Sequence, residues 1–273
     1  MSREPALNDQ PELLTEVAAG IARITFNRPQ ARNALTTGMV HAMIAFLREC
    51  EARDDVRVIL LQGAGDHFMA GGDVKGFAES AALPPAARRS RFETLALDNL
   101  ALFEVMERMA KPVVAKVRGA CAGASVGYVA ASDFVLVSDT AVFVVANIAL
   151  GTTPDGATTW HLPRLLGPRL ARQMCLLGDR LGAEQAVQAG LANWLHADAD
   201  LDAATEALLT RLAAGPTLAL GLGKAMLAAS LGNPLAAQLA LEARNAGLVG
   251  ASEDFAEGIA AFMEKRKPAF RGR

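Results

Sequence analysis

Two short turns made mostly of small residues are the parts of this chain best suited to chemistry. One is Phe68-Met69-Ala70-Gly71-Gly72-Asp73, the other Gly119-Ala120-Cys121-Ala122-Gly123-Ala124-Ser125. Each follows a β-branched run: Val56-Arg57-Val58-Ile59-Leu60-Leu61 before the first, Pro112-Val113-Val114-Ala115-Lys116-Val117 before the second. Small residues after a buried strand let the backbone approach a ligand closely. Brought together, two such turns could aim two peptide N–H groups at one oxygen. A main-chain oxyanion hole of that kind suits an enolate. A single Gly-rich turn would indicate only a turn; the repeated order of elements is what makes the signal useful.

The chain has 273 residues, enough for one large domain or for one core with an appendage. Its 52% apolar and 21% charged residues allow a large buried core. With 27 Lys and Arg against 29 Asp and Glu the net charge is −2, which argues against a nucleic-acid partner. Cys50, Cys121 and Cys175 have no metal-binding spacing and read as buried thiols in a reducing compartment. His41, His67, His161 and His196 form no ligand pattern, so no metal site is expected. No apolar stretch is long enough to span a bilayer, and the polar start has no apolar signal region; a cytoplasmic protein without a membrane partner is expected.

Along the chain, residues 1–13 read as a loose tail and residues 17–26 as a hairpin turning near Gly20. Thr36 or Thr37 caps a helix over residues 39–53. Strands follow at 56–63, 112–117, 134–138 and 141–145. Residues 75–90 read as helical but broken at Pro84-Pro85, and residues 92–109 as a helix. A short buried helix covers 124–131. Helices are expected at 163–176, interrupted at Gly167-Pro168, and at 183–190. From Leu201 the pattern becomes Ala/Leu-rich and all-helical, at 201–214, 217–231, 234–249 and 252–265. The division is therefore a tail (1–13), an α/β core (14–200) and a helical packing or oligomerisation region (201–273).

The order of these segments resembles the crotonase superfamily, the enoyl-CoA hydratase/isomerase fold. The stretches that carry it are Ile24 to Pro29 with Asn33-Ala34-Leu35, Gly63 to Asp73, Lys111 to Asp133, Leu150-Gly151-Thr152-Thr153-Pro154-Asp155-Gly156, and Glu257-Gly258 with Phe262 to Arg266. The resemblance implies an α/β, ClpP-like spiral of ββα units with a helical C-terminal region. It also implies assembly as a trimer or dimer of trimers, and an acyl-CoA thioester substrate. Coenzyme A is then part of the substrate, and no separate cofactor is expected. By position, the Gly72 and Ala124 N–H groups form the oxyanion hole, and Ser125 could cap the adjacent short helix, whose dipole favours an anion. The segment around Arg28, Ala31, Ala70, Gly71, Asp73 and Val74 lies near the CoA moiety. Arg28 could face a phosphate or stand on the surface, and Asp73 reads first as a turn residue. Phe262 and Lys265 resemble a C-terminal pair that reaches CoA, sometimes from a neighbouring subunit.

The family's hydratases use two glutamates, at the places of Gly127 and Asn147. Glycine moves no proton, and asparagine is no base near neutral pH. Asp155 remains, where isomerase branches carry a lone acid. With Trp160-His161-Leu162-Pro163-Arg164 it is most similar to the ring-epoxide isomerase of bacterial phenylacetate degradation and to Δ3,Δ2-enoyl-CoA isomerases. One carboxylate suffices for a 1,3-proton shift, and burial would raise its pKa. Asn147 could bond Asp155 or substrate, and the Tyr128 hydroxyl could replace the missing acid. Ser125 and Thr153 read as backbone-bonded, His67 as a surface residue and Cys121 as a small buried hydrophobe. A hydratase with non-standard groups and a non-catalytic acyl-CoA binder are the competing readings.

Overall fold

The structure, a computed structural model, describes residues 11–273, with the side chains of Val74 and Lys75 outside the described set. Most of the expected tail therefore lies outside the described residues, and its last residue, Leu13, already belongs to a strand.

The strands are β1 (Leu13–Ala18), β2 (Ile21–Phe26), β3 (Val58–Gly63), β4 (Val113–Val117), β5 (Ala120–Ala122), β6 (Phe134–Ser138), β7 (Val142–Val144), β8 (Leu181–Gly182) and β9 (Trp194–His196). Between and after them run α1 (Thr37–Ala52), α2 (Val74–Ala81), α3 (Pro85–Arg108), α4 (Ala124–Ala130), α5 (Thr158–Leu165), α6 (Gly167–Leu177) and α7 (Ala183–Ala189). The helices α8 (Leu201–Ala213), α9 (Thr217–Ser230), α10 (Leu235–Gly250) and α11 (Glu253–Met263) close the chain. No single helix among the described residues is long and apolar enough to cross a membrane.

One sheet has the order β1-β2-β3-β4-β6-β9, antiparallel only between β1 and β2. A smaller sheet, β5-β7-β8, stands beside it. Parallel strands buried on both faces read as apolar runs, because successive side chains serve two cores. In β3, Ile59 and Leu61 enter the main core with Phe26, Val113 and Ala115. Val58 and Leu60 face the other way, with Val114 and Leu136, under Leu201, Leu209 and Leu212 of α8. The first helix of the C-terminal region is thus a layer of the sheet's second core.

Local signals place the remaining boundaries. Thr36 caps α1, its Oγ1 accepting from Met39 N–H at 3.2 Å. Pro84-Pro85 separates α2 from α3, and α3 runs unbroken from Pro85, whose fixed φ and missing N–H suit a first helical turn. Pro163 lies inside α5, which starts five residues before the expected helix.

Candidate active site

The two small-residue turns meet. Met69 N–H donates to Ala120 O at 3.1 Å, and Ala122 N–H returns a bond to Met69 O at 2.9 Å, so β5 runs alongside the first turn. Gly71 sits at φ +89°, and a Cβ there would stand 3.0 Å from Ala122 O; a Cβ on Gly123 would stand 3.6 Å from Gly71 Cα. The close approach and its φ require glycine at position 71, and the φ of +59° requires it at position 123. A third segment laces the first turn from its other side. Ala70 N–H donates to Arg32 O, Leu35 N–H to Gly71 O and Asp73 N–H to Leu35 O. The Gly72 and Ala124 N–H groups donate to no acceptor among the described residues, and both residues line one cavity.

Asp155 lines the same cavity. Glycine contacts and the Thr158 N–H and hydroxyl, both donating to Asp155 O, hold its backbone there. A Cβ on Gly156 (φ +58°) would stand 2.8 Å from Ala124 Cα, and a Cβ on Gly127 would stand 1.5 Å from Gly156 O. The backbone after Asp155 therefore fills the space that a side chain at position 127 would need, and it pins Asp155 beside Ala124. Asn147, on a 3-10 turn (Ala146–Leu150), donates through Nδ2 to Asp155 Oδ1 at 3.0 Å. Asp155 is exposed through the open cavity it lines, and the protein around it raises its pKa by desolvation; the Asn147 hydrogen bond opposes part of that rise. Asn147 Oδ1 is buried without a partner among the described residues. In this orientation the amide serves an ionised Asp155; turned over, it would accept from a protonated one. A carboxyl with a raised pKa next to two unused peptide donors can take up and return a proton while an oxyanion is held.

The cavity has a volume of about 590 Å³. Its floor is Ala70 to Asp73, Gly123, Ala124, Asn147 and Asp155; its roof is Phe77 of α2 with Phe92, Leu95, Ala96 and Asn99 of α3. Phe77 and Phe92 contact each other with ring centroids 5.6 Å apart. A Cβ on Gly72 would stand 2.5 Å from Phe77 Cζ, so the ring lies directly against one of the two candidate oxyanion positions. Asp73 and Asp98 also line the cavity. Asp73 pairs with Arg28 at 2.9 Å and Asp98 with His41 at 3.3 Å, whereas Asp155 has no cation partner among the described residues.

Several expected residues stand elsewhere. Arg28 does not line the cavity: it donates to Ala34 O at 2.7 Å and pairs with Asp73 and Glu12, tying loop to turn. Ala31 ends a 3-10 turn (Pro29–Ala31) away from the cavity wall. The side chain of Val74 lies outside the described residues. Phe262 is 80% exposed at the end of α11, and Lys265 lies just beyond it; neither reaches the cavity within one chain. Ser125 does not cap α4. Its Oγ bonds Met69 O and Ala122 O at 2.9 and 2.8 Å, riveting the two turns together. Tyr128 cannot serve as the replacement acid: it is wholly buried, its hydroxyl donates to Asn99 Oδ1 at 2.6 Å, and burial pushes its pKa well up. His67 is not a free surface residue. It is half-buried between the turns, and its Nδ1 accepts from Ala120 N–H at 3.1 Å.

Sequence reasoning missed the roles of His67, Phe77 and Asn99. The position of His67 one residue before the first turn was a usable signal; nothing local marked the other two.

This fold is shared with solved proteins of known family. The enoyl-CoA hydratase/isomerase family matches residues 16–273, and the chain belongs to that family. A Rhodobacter capsulatus protein described as a probable enoyl-CoA hydratase is 38% identical over 94% of this chain and 97% of its own length. The 1,2-epoxyphenylacetyl-CoA isomerase of Escherichia coli is 36% identical over 96% of this chain and 98% of its own. A solved structure from Mycobacterium abscessus superposes with a TM-score of 0.91 at 31% identity, covering 96% of this chain and 100% of that one.

Proposed function

We propose that this protein is an acyl-CoA isomerase in which Asp155 alone moves the proton. The observation that carries the reading is the placement of Asp155. It has no cation partner among the described residues, its pKa is raised, and the Gly156 contact fixes its backbone beside Ala124. The thioester oxygen accepts from Gly72 and Ala124 N–H. Asp155 takes a proton from Cα of a 3-enoyl thioester, and the C–H electrons pass into a dienolate whose negative oxygen the two donors hold. The same carboxyl returns the proton at Cγ, moving the double bond to the 2,3 position. Each oxyanion donor contributes on the order of 10²–10³ in rate. The chemistry needs no metal or redox cofactor, and coenzyme A enters as part of the substrate.

A hydratase reading is favoured by the Rhodobacter relative and by Asn147 at the cavity wall. Against it, position 127 has no room for a glutamate. The test is NMR of a 3-enoyl-CoA in D2O with wild type and Asp155→Asn. Deuterium at Cα or Cγ with double-bond migration, lost in the variant, supports the isomerase. Hydration of a 2-enoyl-CoA that survives the substitution replaces it with the hydratase. Bound ester without exchange leaves a binder only.

Self-association belongs to the same reading. Leu227, Leu235 and Met263 of the C-terminal helices are each about three-quarters exposed, an apolar surface suited to a second copy. Phe262 and Lys265 would reach a cavity only from a neighbouring copy.

A further inference from the structure

We propose that Asn99 is a built hydrogen-bond donor for an uncharged oxygen on the acyl chain, so that the cavity prefers acyl thioesters bearing such an oxygen over plain hydrocarbon chains. This rests on the cavity being an acyl-CoA site, and not on which group moves the proton.

The orientation of Asn99 is set from behind. Tyr128 on α4 is fully buried and packs against Phe103, with ring centroids 5.1 Å apart. A buried phenol must place its proton on an acceptor, and the acceptor present is Asn99 Oδ1 at 2.6 Å. The Asn99 carbonyl is thereby used, and the Nδ2 end of the amide is left with two donors. Nδ2 has no partner among the described residues. It is also not sealed in, since the buried, unpartnered side-chain atoms there are Asn147 Oδ1 and Asn245 Oδ1. Asn99 lines the cavity together with the apolar Leu95 and Ala96 of the roof and Asp155 of the floor.

A fixed donor in an apolar wall discriminates in two directions. An oxygen in reach of Nδ2 replaces the water lost on binding, whereas a methylene at that place strips the water and gives nothing back. The charge of the ligand group follows from its neighbours. Asp98 and Asp155 line the same cavity, so an anionic group would meet like charge; Arg91 also lines it and is exposed. A ketone, ether, epoxide or hydroxyl oxygen fits.

The experiment is calorimetric titration with octanoyl-CoA and its oxo derivatives, the ketone walked outward along the saturated chain, together with a chain ending in carboxylate. For wild type, at least one oxo ester should bind about three- to tenfold tighter than octanoyl-CoA. That ratio should fall to about one in Asn99→Leu, which keeps the side-chain volume. It should fall part way in Tyr128→Phe, where the amide loses its anchor. The inference is overturned if no oxo ester is preferred, if the preference persists in Asn99→Leu, or if the terminal carboxylate binds tightest. Failure of every ester to bind overturns the acyl-CoA reading and this inference with it. An oxo preference that depends on Asn99, in a protein that fails the deuterium test, supports this inference and removes only the proton shuttle.

Discussion

The floor and the roof of the cavity are built by different means. The floor is backbone: Gly71 against Ala122, Gly156 against Ala124, Gly127 against Gly156, with Ser125 and His67 bonding across the two turns. The roof is side chains: Phe77, Phe92, Leu95 and Asn99 on two helices that meet at Pro84-Pro85. A backbone floor holds peptide donors to a fraction of an ångström and tolerates no added atoms. A side-chain roof can change shape with each substitution and leave the donors in place. The expected chemistry thus resides in the part that cannot vary, and the choice of acyl group in the part that can.

The largest effect should come from adding atoms to the floor. Gly127→Ala places a Cβ on the Gly156 carbonyl and should cost about 3 kcal/mol of stability, read as a lowered unfolding midpoint. Gly127→Glu should be no milder, and it should fail to introduce hydration of a 2-enoyl-CoA. Asp155→Asn comes next, lowering isomerisation by about 10²–10⁴-fold while ester binding persists. Since the native pKa of Asp155 is raised, the base is lost as pH falls through that raised value, so the acid limb of kcat/KM should lie above the ordinary carboxylate range. The same shift means that Asp155 contributes most to stability when protonated, and that the contribution fades as pH rises through the raised pKa. Asp155→Asn should therefore flatten the decline in stability between the ordinary and the raised values.

His67→Ala removes the acceptor for Ala120 N–H and should loosen the paired turns, slowing turnover by about tenfold. His67→Asn, which can present an oxygen near the place of Nδ1, should keep most of the rate; equal loss in both variants would remove His67 from the floor's machinery. Asn147→Leu deletes the bond that opposes the rise in the Asp155 pKa, so the acid limb should move to higher pH. The smallest change belongs to the roof: Phe77→Leu should alter the relative kcat/KM of short and long acyl chains by a few-fold and leave the pH profile in place. A pH profile that moved with Phe77→Leu would erase the distinction between floor and roof.

Much of this was legible in the residues. The apolar runs at β3, β4 and β6, the cap at Thr36, the break at Pro84-Pro85 and the four C-terminal helices all follow from local composition. The candidate floor residues Gly72, Ala124, Asn147 and Asp155 were also marked, by turn chemistry and by resemblance. The short strands β5, β8 and β9 were not, because two or three residues hold too little periodicity to register. Arg28 illustrates another limit: an arginine beside a Pro turn suits a phosphate and an ion pair equally, and only the position of Asp73, 45 residues on, shows that the ion pair forms.

The sequence by itself determined the elements, the two small-residue turns and the absence of an acid at position 127, since these depend on residue type and near neighbours. The tertiary structure alone decided that the turns touch, that the Gly156 carbonyl occupies the space beside Gly127, that Tyr128 gives its proton to Asn99, and that His67 and Ser125 bind one turn to the other. Each of these is a contact between residues 20 or more apart in the chain, and such contacts form only when the close-packed sheets and helices bring the backbones within hydrogen-bonding reach.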